Sequence, residues 1–456
     1  MDKLLPELTI IGGGLAGSEA AWQAAERGIT VRLYEMRPEQ QTPAHSTANL
    51  AEMVCSNSMG SVLLDRPSGL LKEELKRLGS LLLECAEATA LPAGGSLAVD
   101  RDHFAALVTQ KITSHPRIDL IRQEVQQIPE GYVIIASGPL TSPALSAAIQ
   151  GLTGQEHLFF YDAIAPIVAA DSIDMQVAYR ASRFERGQNE EGDYINCPMD
   201  KSQYMDFVGE LSRAQRVELR PFETDLLIGV KGGPGKYFEG CLPVEIIAER
   251  GPDTLAFGPL RPIGLADPRS GKYSFAVLQL RQDNLAGTLY NMVGFQTNLT
   301  FPEQKRVFHM VPGLENAEFV RLGQMHRNTF IASPLLLSPT LQFNQRQELF
   351  FAGQITGVEG YMGNIATGLL AGVNAARLIK GLKPFTLPPT TMLGGLCHYI
   401  THAEMKYFQP MKANFGILPL VDRKVRGKPL RAMVHVKQAL PDLDKFLREE
   451  NYYERS

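Results

Sequence analysis

Two cysteines lie in polar segments whose composition suits chemistry. Cys55 lies in Val54-Cys-Ser-Asn-Ser58, and Cys241 lies in Phe238-Glu-Gly-Cys-Leu-Pro243, just after a glycine-rich stretch that carries two lysines. A thiol beside positive charge is favoured as the thiolate, which is the nucleophilic form of cysteine. A cysteine also serves as a small buried residue in many cores, so both interpretations stay open for each position.

The remaining cysteines and a histidine pair indicate structural roles. Cys85 shares a predicted helical face with leucines, while Cys197 and Cys397 have no neighbours that suggest chemistry. No C-x-x-C pair is present, which argues against a flavin disulfide reductase. His398 and His402 have i, i+4 spacing, but the sequence offers them no third ligand, so we expect no metal site.

A glycine cluster near the start predicts a dinucleotide-binding turn. The run Gly12-Gly-Gly-Leu-Ala-Gly17 fits G-x-G-x-x-G, follows a predicted strand over 8–11 and opens a predicted helix over 16–27. A pyrophosphate would then lie against the unpaired N–H groups at the helix N-terminus. Glu35 ends the second predicted strand, where a carboxylate can bind ribose hydroxyls.

Two later segments favour FAD over NAD alone. Ile134-Ile-Ala-Ser-Gly-Pro139 is a strand that leads into a small-residue turn, and Ala352-Gly-Gln-Ile-Thr-Gly357 resembles the distal segment of FAD folds. Gln354 stands where many such folds carry aspartate. Tyr361 follows, and its ring could stack on the flavin or pack in the core. The predicted cofactor-binding residues are Gly12, Gly13, Gly14, Leu15, Ala16, Gly17, Glu35, Gly138, Gly353 and Gln354.

Composition describes an ordinary globular chain. The 456 residues are 44% hydrophobic and 21% charged, and 45 Lys+Arg against 49 Asp+Glu give a formal charge of −4. This balance excludes a disordered or collagen-like chain but does not exclude a local basic patch that binds RNA. Five cysteines without a disulfide pattern predict a reducing, cytoplasmic location, and no targeting segment or membrane-spanning run is evident.

The order of predicted elements indicates an α/β protein with an insertion. A βαβ pattern opens the chain and returns at 349–380, whereas short alternating strands fill the middle. Apolar spacing predicts a helix over 70–87, and a run rich in small residues predicts a helix over 366–380. We therefore expect a Rossmann-like FAD-binding domain of the glutathione-reductase type, made of residues 1–160 and 331–435. An inserted β-rich α+β domain covers 161–330, and 436–456 form a C-terminal tail.

Several motifs together resemble the folate- and FAD-dependent tRNA (uracil-5-)-methyltransferase family. The resemblance extends from about residue 8 to 420, and the segments that contain the two cysteines are more specific than the glycine turn. The motifs are Ile11-Gly-Gly-Gly-Leu-Ala-Gly-Ser-Glu-Ala-Ala21, Tyr34-Glu-Met-Arg-Pro38, Thr42-Pro-Ala-His45, Val54-Cys-Ser-Asn-Ser58, Pro92-Ala-Gly-Gly95, Phe238-Glu-Gly-Cys-Leu-Pro-Val-Glu245, Asp267-Pro-Arg-Ser-Gly271, Met325-His-Arg-Asn328, Gly357-Val-Glu-Gly-Tyr361 and Phe408-Gln-Pro-Met-Lys-Ala-Asn414.

The resemblance implies methylation of uridine 54 in the T arm of tRNA. Methylenetetrahydrofolate would give the carbon, and NADH or NADPH would reduce the FAD. Cys55 and Cys241 match the family's two functional cysteines, and Tyr361 matches its flavin-shielding tyrosine. We expect Cys241 to attack uracil C6 and Cys55 to act as a leaving-group or proton-transfer partner, although the two roles can be exchanged.

Three alternatives remain at this stage. The chain could be a related flavoprotein that modifies the wobble uridine of tRNA, a generic FAD oxidoreductase acting on a small metabolite, or an inactive RNA-binding module with a FAD fold. The segment Asp422-Arg-Lys-Val-Arg-Gly-Lys-Pro-Leu-Arg431 is either a phosphate-contacting arm or a solvated surface. The oligomeric state is left open.

Overall fold

The computed structural model describes residues 7–42, 44–155, 158–217, 242–421, 425 and 427–452. Strands of its first half are β1 (Leu8–Ile11), β2 (Val31–Glu35), β3 (Ser58–Ser61), β4 (Ala90–Leu91), β5 (Ser96–Val99), β6 (Ile118–Arg122), β7 (Tyr132–Ile135), β8 (Leu158–Ala163), β9 (Ile167–Ala169), β10 (Tyr179–Ala181) and β11 (Tyr194–Met199). Those of its second half are β12 (Ala276–Gln282), β13 (Leu289–Met292), β14 (Phe319–Arg321), β15 (Met325–Phe330), β16 (Gln342–Phe343) and β17 (Arg346–Phe351).

The described helices follow the same chain order. They are α1 (Leu15–Ala25), α2 (Pro67–Leu78), α3 (Leu81–Ala88), α4 (Arg101–Ser114), α5 (Pro143–Thr153), α6 (Lys201–Arg213), α7 (Val244–Glu249), α8 (Thr254–Phe257), α9 (Phe301–Phe308), α10 (Ser333–Leu336), α11 (Tyr361–Ile379), α12 (Met392–His402) and α13 (Lys428–Glu449). Within the described ranges, no helix is long and apolar enough to cross a membrane.

One six-stranded sheet organises the two ends of the chain. Its order is β16-β17-β7-β1-β2-β6, and every pairing is parallel except that of the edge strand β16 with β17. Helices α1 and α11 pack on one face within the largest core cluster, and α5 packs on the other. Strands covered on both faces become continuous apolar runs, as in Tyr132-Val-Ile-Ile135.

Close contact between α1 and α11 depends on two glycines. A Cβ at Gly368 would lie 2.2 Å from the backbone oxygen of Ala16, and one at Gly372 would lie 2.4 Å from that of Ala20. Both distances are shorter than any real contact, so a side chain at either position would push the helices apart. The small-residue pattern of α11 therefore positions this helix directly against the helix that follows the glycine turn.

The middle of the chain forms a separate antiparallel sheet. Its order is β10-β11-β12-β13-β9-β14, with α6 and its neighbours completing a second apolar core. The chain enters and leaves this region through β8 and β15, which pair with each other as an antiparallel ribbon. The expected fold class, a Rossmann-like domain interrupted by a β-rich insertion, is confirmed.

Three elements differ from the sequence-based expectation. The helix expected over 70–87 is two helices, because Gly79 adopts φ 73° after α2 and the Ser80 hydroxyl then accepts from the Leu83 N–H to begin α3. Helix α11 begins at Tyr361 rather than near 366. Helix α13 crosses the expected boundary at 435 and buries Val436, Ala439, Leu443 and Leu447 in the core of the parallel-sheet domain.

Candidate functional site

The glycine turn after β1 is shaped by steric constraints at two of its glycines. Gly12 has φ +106°, and a Cβ there would lie 2.5 Å from the backbone oxygen of Ala136. A Cβ at Gly17 would lie 1.8 Å from the backbone oxygen of Gly12. These close approaches bring β1, α1 and the end of β7 together, which is the role expected for such glycines.

Gly14 has a different role, because it faces open space. It is the N-cap of α1, no side chain caps the helix there, and a Cβ at this position would meet no atom within 4 Å. The first N–H groups of α1, which include those of Leu15 and Ala16, thus lie at an uncapped helix start. This end of the helix suits a phosphate group.

Glu35, the last residue of β2, forms a hydrogen bond to the glycine turn. Its Oε2 accepts from the Gly13 N–H at 3.0 Å, and its Oε1 accepts from the N–H and Nε of Arg37 at 3.0 and 2.9 Å. Burial alone would raise the pKa of Glu35, but the Arg37 guanidinium and the two backbone donors bring it below the ordinary value. Its expected contact with ribose remains a prediction, while its observed contacts fix the turn.

The Arg37 side chain also organises the loop that follows β2. It is 2% exposed, forms an ion pair with Glu52 at 2.9 Å and donates to the backbone oxygens of Thr47 and Asn49. Glu52 in turn accepts from the N–H and hydroxyl of Ser46. Sequence reasoning gave no role to Arg37 or Glu52, and their side chains hold the segment that leads to Cys55.

A cleft of about 990 Å³ extends along this turn. We call it the dinucleotide cleft. Gly138, which has φ +70°, and Gly353, which has φ +79°, also line it, and Gly353 lies directly against Ala16 at the start of α1. Its walls include Gly12, Gly14, Leu15, Ala16, Glu35, Arg37, Glu52, Gly138, Gly353 and Gln354. Eight of the ten predicted cofactor-binding residues therefore lie in one cleft, and the other two, Gly13 and Gly17, lie in the turn beside it.

A second cavity of about 1440 Å³ adjoins the cleft. We call it the Cys55 cavity. Its walls include Cys55, Ser56, Ser58, Ser68, Gln296, Asn328, Glu359 and Lys412. The two cavities share Val54, Pro139, Leu140, Gln354, Tyr361 and Asn364. A ligand in the cleft can thus reach the surroundings of Cys55.

Cys55 and Tyr361 lie in direct contact at this junction. The backbone N–H groups of Cys55 and Ser56 donate to the Tyr361 hydroxyl oxygen at 2.9 and 3.1 Å. Burial raises the pKa of the Tyr361 hydroxyl well above its usual range, and the neighbouring Cys55 thiol adds to this rise. Tyr361 therefore stays neutral at physiological pH and accepts hydrogen bonds from the cysteine loop.

Asn364, which lines both cavities, carries an unsatisfied polar atom. The Oδ1 atom of Asn364 is buried and has no hydrogen-bond partner among the described residues. Buried acceptors are almost always satisfied in folded proteins, so this atom indicates a ligand group. With the uncapped start of α1 and the open space at Gly14, the residues present fit a dinucleotide such as FAD.

The remaining candidates have separate positions. Cys241 and the basic residues Arg423, Lys424 and Arg426 lie outside the described residues. Cys85, Cys197 and Cys397 are at most 3% exposed. Burial raises the pKa of each of these three thiols, so they are packing residues. The rings of His398 and His402 stack at 4.2 Å, and no cluster of metal-binding side chains occurs in the described ranges.

The parallel sheet, the glycine turn and the distal return over α11 define a dinucleotide-binding α/β protein of the flavoprotein class. The model of a family described as glucose inhibited division protein A matches residues 7–383. Proteins named methylenetetrahydrofolate--tRNA-(uracil-5-)-methyltransferase TrmFO are similar over nearly their whole length. That of Heliobacterium modesticaldum is 56% identical over 443 residues, covering 97% of this chain and 98% of the relative. That of Brevibacillus brevis is 52% identical over 446 residues, covering 98% and 99%.

Among solved structures, Aquifex aeolicus GidA in its form II crystal has a TM-score of 0.69 at 16% identity. The alignment covers 98% of this chain and 75% of GidA, and at this identity it shows the fold alone. The chain belongs to the glucose inhibited division protein A family, within the group of methylenetetrahydrofolate--tRNA-(uracil-5-)-methyltransferases. The family resemblance expected from the motifs is confirmed.

Proposed function

We propose that this protein methylates C5 of uridine 54 in the T arm of tRNA. Methylenetetrahydrofolate is the carbon donor, and FAD reduced by NADH or NADPH is the reductant. The full-length similarity to relatives named for this activity supports the reaction type. The tRNA substrate favours a cytoplasmic location. No helix in the described ranges is long and apolar enough to span a membrane.

The single observation that carries the proposal is the junction of the two cavities. Cys55 and Tyr361 contact each other where the dinucleotide cleft opens into the larger Cys55 cavity. At this point a thiol and a neutral phenol lie beside a cofactor cleft. This arrangement suits a reaction that combines redox chemistry with bond formation at a nucleobase. A generic oxidoreductase has no need of the cysteine.

The chain's residues have distinct roles in this proposal. Gly12, Gly13, Gly14 and Gly17 form the turn against which the pyrophosphate binds, and Gly138, Gly353 and Gln354 line the cleft opposite. When bound, FAD supplies hydride and a path for the one-carbon unit. Tyr361 holds the Cys55 loop through two backbone N–H groups and lines both the cleft and the Cys55 cavity.

The cysteines are needed because C5 of uracil is unreactive by itself. Uracil C5 is a poor nucleophile until a group adds to C6, and a thiolate that adds there leaves an enolate whose C5 can form a bond. We assign the attack on C6 to Cys241. We assign to Cys55, on the flavin side of the base, either a proton transfer or the release of the group that carried the carbon. Cys55 lines the cavity in which the base would lie.

A reconstitution experiment tests the proposed function. The FAD-loaded protein is mixed with tRNA that lacks T-arm methylation, methylenetetrahydrofolate and NADH or NADPH, and the product is mapped by mass spectrometry. We expect one methyl group at uridine 54. Modification confined to the wobble position, NAD(P)H oxidation without tRNA product, or activity with S-adenosylmethionine alone would each overturn the proposal.

A further inference from the structure

Three arginine side chains are buried around the loop that carries Cys55. Arg281 on β12 is 7% exposed, Arg101 begins α4 with its side chain 14% exposed, and Arg321 ends β14 in a partly buried position. Asp283 lies with them and forms an ion pair with Arg101. Among the described side chains, one carboxylate therefore faces three guanidinium groups. Burying unbalanced charge is costly, so a further anion is expected here.

The arginines contact the cysteine loop itself. Nη2 of Arg321 donates to the Cys55 carbonyl oxygen at 3.4 Å, and Nε of Arg281 donates to Oδ1 of Asn57 at 2.7 Å. Nδ2 of Asn57 donates to the backbone oxygen of Gln282 at 2.8 Å. With Tyr361 accepting from the Cys55 N–H, the peptide groups of Cys55 are held from both domains.

Two further observations point to a negative charge at Cys55. The Nε of Arg321 is buried and has no hydrogen-bond partner among the described residues. Both Arg281 and Arg321 interact electrostatically with the Cys55 thiol group. The unpaired Nε and the excess of buried positive charge beside the loop favour the thiolate of Cys55 over its thiol form, in which Sγ donates to the Ala163 backbone oxygen at 4.0 Å.

We propose that Arg321 and Arg281 are positioning residues that keep Cys55 as a thiolate directed at the Cys55 cavity. The role of the negative charge of Cys55 in catalysis rests on the proposed function. The presence of that charge does not depend on the proposed function. The two arginines come from β14 and β12 of the inserted domain, and Cys55 comes from the parallel-sheet domain. The ionisation of Cys55 thus depends on the insertion being seated on its partner domain.

Glu359 and Lys412 line the same cavity as Cys55, and further charged or titratable groups lie around the Cys55 loop. These groups are Arg321 from β14, Arg281 and Asp283 at β12, Arg101 from α4 and Tyr361 from α11. Burial lowers the pKa of Arg321 to about 10, so Arg321 remains a cation at neutral pH. Tyr361 remains neutral, for the reason given above. The titration of Cys55 is therefore followed through the reactivity of its own thiol.

Alkylation of the FAD-loaded, full-length protein by iodoacetamide tests the proposal without tRNA. The rate at Cys55, followed by peptide mass spectrometry, is measured between roughly pH 5 and 9, since free cysteine titrates near pH 8.5. For the wild type we expect an inflection clearly below that value. In Arg321→Gln the inflection moves up by about one pH unit, and the rate at pH 7 falls roughly tenfold. Arg321→Lys, which keeps the charge, restores part of the rate.

Arg346→Gln is the matched control, because Arg346 donates to the backbone oxygens of Pro129 and Gly131, away from Cys55. Its alkylation profile should equal that of the wild type. Flavin absorbance confirms that each variant is folded, and if Arg321→Gln does not fold, Arg281→Gln, which also removes a positive charge beside the loop, replaces it.

An ordinary inflection in the wild type, or the same profile in the wild type and the Arg321 variants, would overturn the inference. Methyl transfer measured on the same samples separates the two proposals. An unchanged profile with transfer intact removes only the thiolate assignment. A shifted profile in a protein whose wild type transfers no methyl group removes only the proposed function.

Discussion

The backbone N–H of Cys55 donates a hydrogen bond of 2.9 Å to the hydroxyl oxygen of Tyr361, although 306 positions separate the two residues in the chain. Tyr361 is the first residue of α11, and Gly360 before it has φ +84°. The start of the helix that lies against α1 therefore also sets the position of the cysteine loop. Cofactor binding and the position of the thiol are coupled through one helix.

Removing the Tyr361 hydroxyl tests this coupling. In Tyr361→Phe the N–H groups of Cys55 and Ser56 lose their acceptor, which costs about 1–3 kcal/mol. We expect FAD to remain bound and kcat for methyl transfer to fall roughly tenfold or more. Tyr399→Phe is the control, because the Tyr399 hydroxyl donates to the Gln409 oxygen at 3.0 Å and lines neither cavity. Equal kcat in the two variants would disprove the coupling.

Two glycines of the turn should respond differently to substitution. A side chain at Gly14 meets no protein atom within 4 Å, and the φ of −73° there suits any residue, so Gly14→Val should fold. It should nevertheless lose FAD affinity by roughly tenfold or more, about 1.4 kcal/mol, because the side chain occupies the pyrophosphate position. Gly17→Ala, whose Cβ would lie 1.8 Å from the Gly12 oxygen, should lower the thermal unfolding midpoint instead.

The measurements for this pair are flavin absorbance of the purified proteins and thermal unfolding of their flavin-free forms. A Gly14→Val protein that retains FAD like the wild type would show that the phosphates bind elsewhere. A Gly17→Ala protein of unchanged stability would contradict the close approach of β1 and α1.

A buried glutamate gives the fold a pH dependence. Glu74 on α2 accepts from the N–H groups of Met392 and Leu393 at 2.6 and 3.0 Å, at the start of α12. Burial raises the pKa of Glu74 from 4.5 to about 7. Between these values the folded protein holds a proton that the unfolded chain releases, so the free energy of unfolding falls as pH rises.

The full effect of Glu74 is about 3 kcal/mol, at roughly 1.4 kcal/mol for each pH unit. In Glu74→Gln this proton linkage is absent. Urea unfolding at a series of pH values should therefore show the wild type losing stability relative to the variant as pH rises from about 4.5 to about 7. Parallel stability curves for the two proteins would show that Glu74 is charged when folded.

The two cysteines should differ in a trapping experiment. Fluorine at C5 of a 5-fluorouracil T-arm RNA cannot leave as a proton, so the covalent adduct between protein and C6 accumulates. We expect Cys55→Ala to form the adduct if carbon transfer still occurs, and Cys241→Ala to form none. Both variants should retain FAD. An adduct in Cys241→Ala but not in Cys55→Ala, seen by denaturing electrophoresis, would exchange the two roles.

Local patterns in the sequence are enough to predict the cofactor cleft. Three features each lie at the end of a strand that the local sequence pattern predicts: the glycine turn, Glu35 and the segment around Gly353. The structure brings all three to one cleft. The helix expected over 70–87 was wrong because its apolar spacing continues through Gly79, where the left-handed backbone ends α2. Periodicity does not report such a break.

The support of Cys55 could not be predicted in this way. Arg321 and Cys55 are 266 positions apart, and Arg281 and Asn57 are 224 apart. Each pair forms only after the inserted sheet is seated on the parallel-sheet domain. Arg37 and Glu52 are nearer in sequence, yet an arginine beside acidic residues is common on surfaces, and only its burial reveals its role.

The most direct test of the proposed reaction traces the methyl carbon from its donor to the tRNA. The FAD-loaded protein, NADH or NADPH and undermodified tRNA are supplied with methylenetetrahydrofolate whose methylene group carries two deuterium atoms, in the presence of unlabelled S-adenosylmethionine. We expect a methyl group with both deuterium atoms at C5 of uridine 54, and no such product from Cys55→Ala or Cys241→Ala. A methyl group without deuterium, or a labelled product that forms equally well in both cysteine variants, would contradict the proposed reaction.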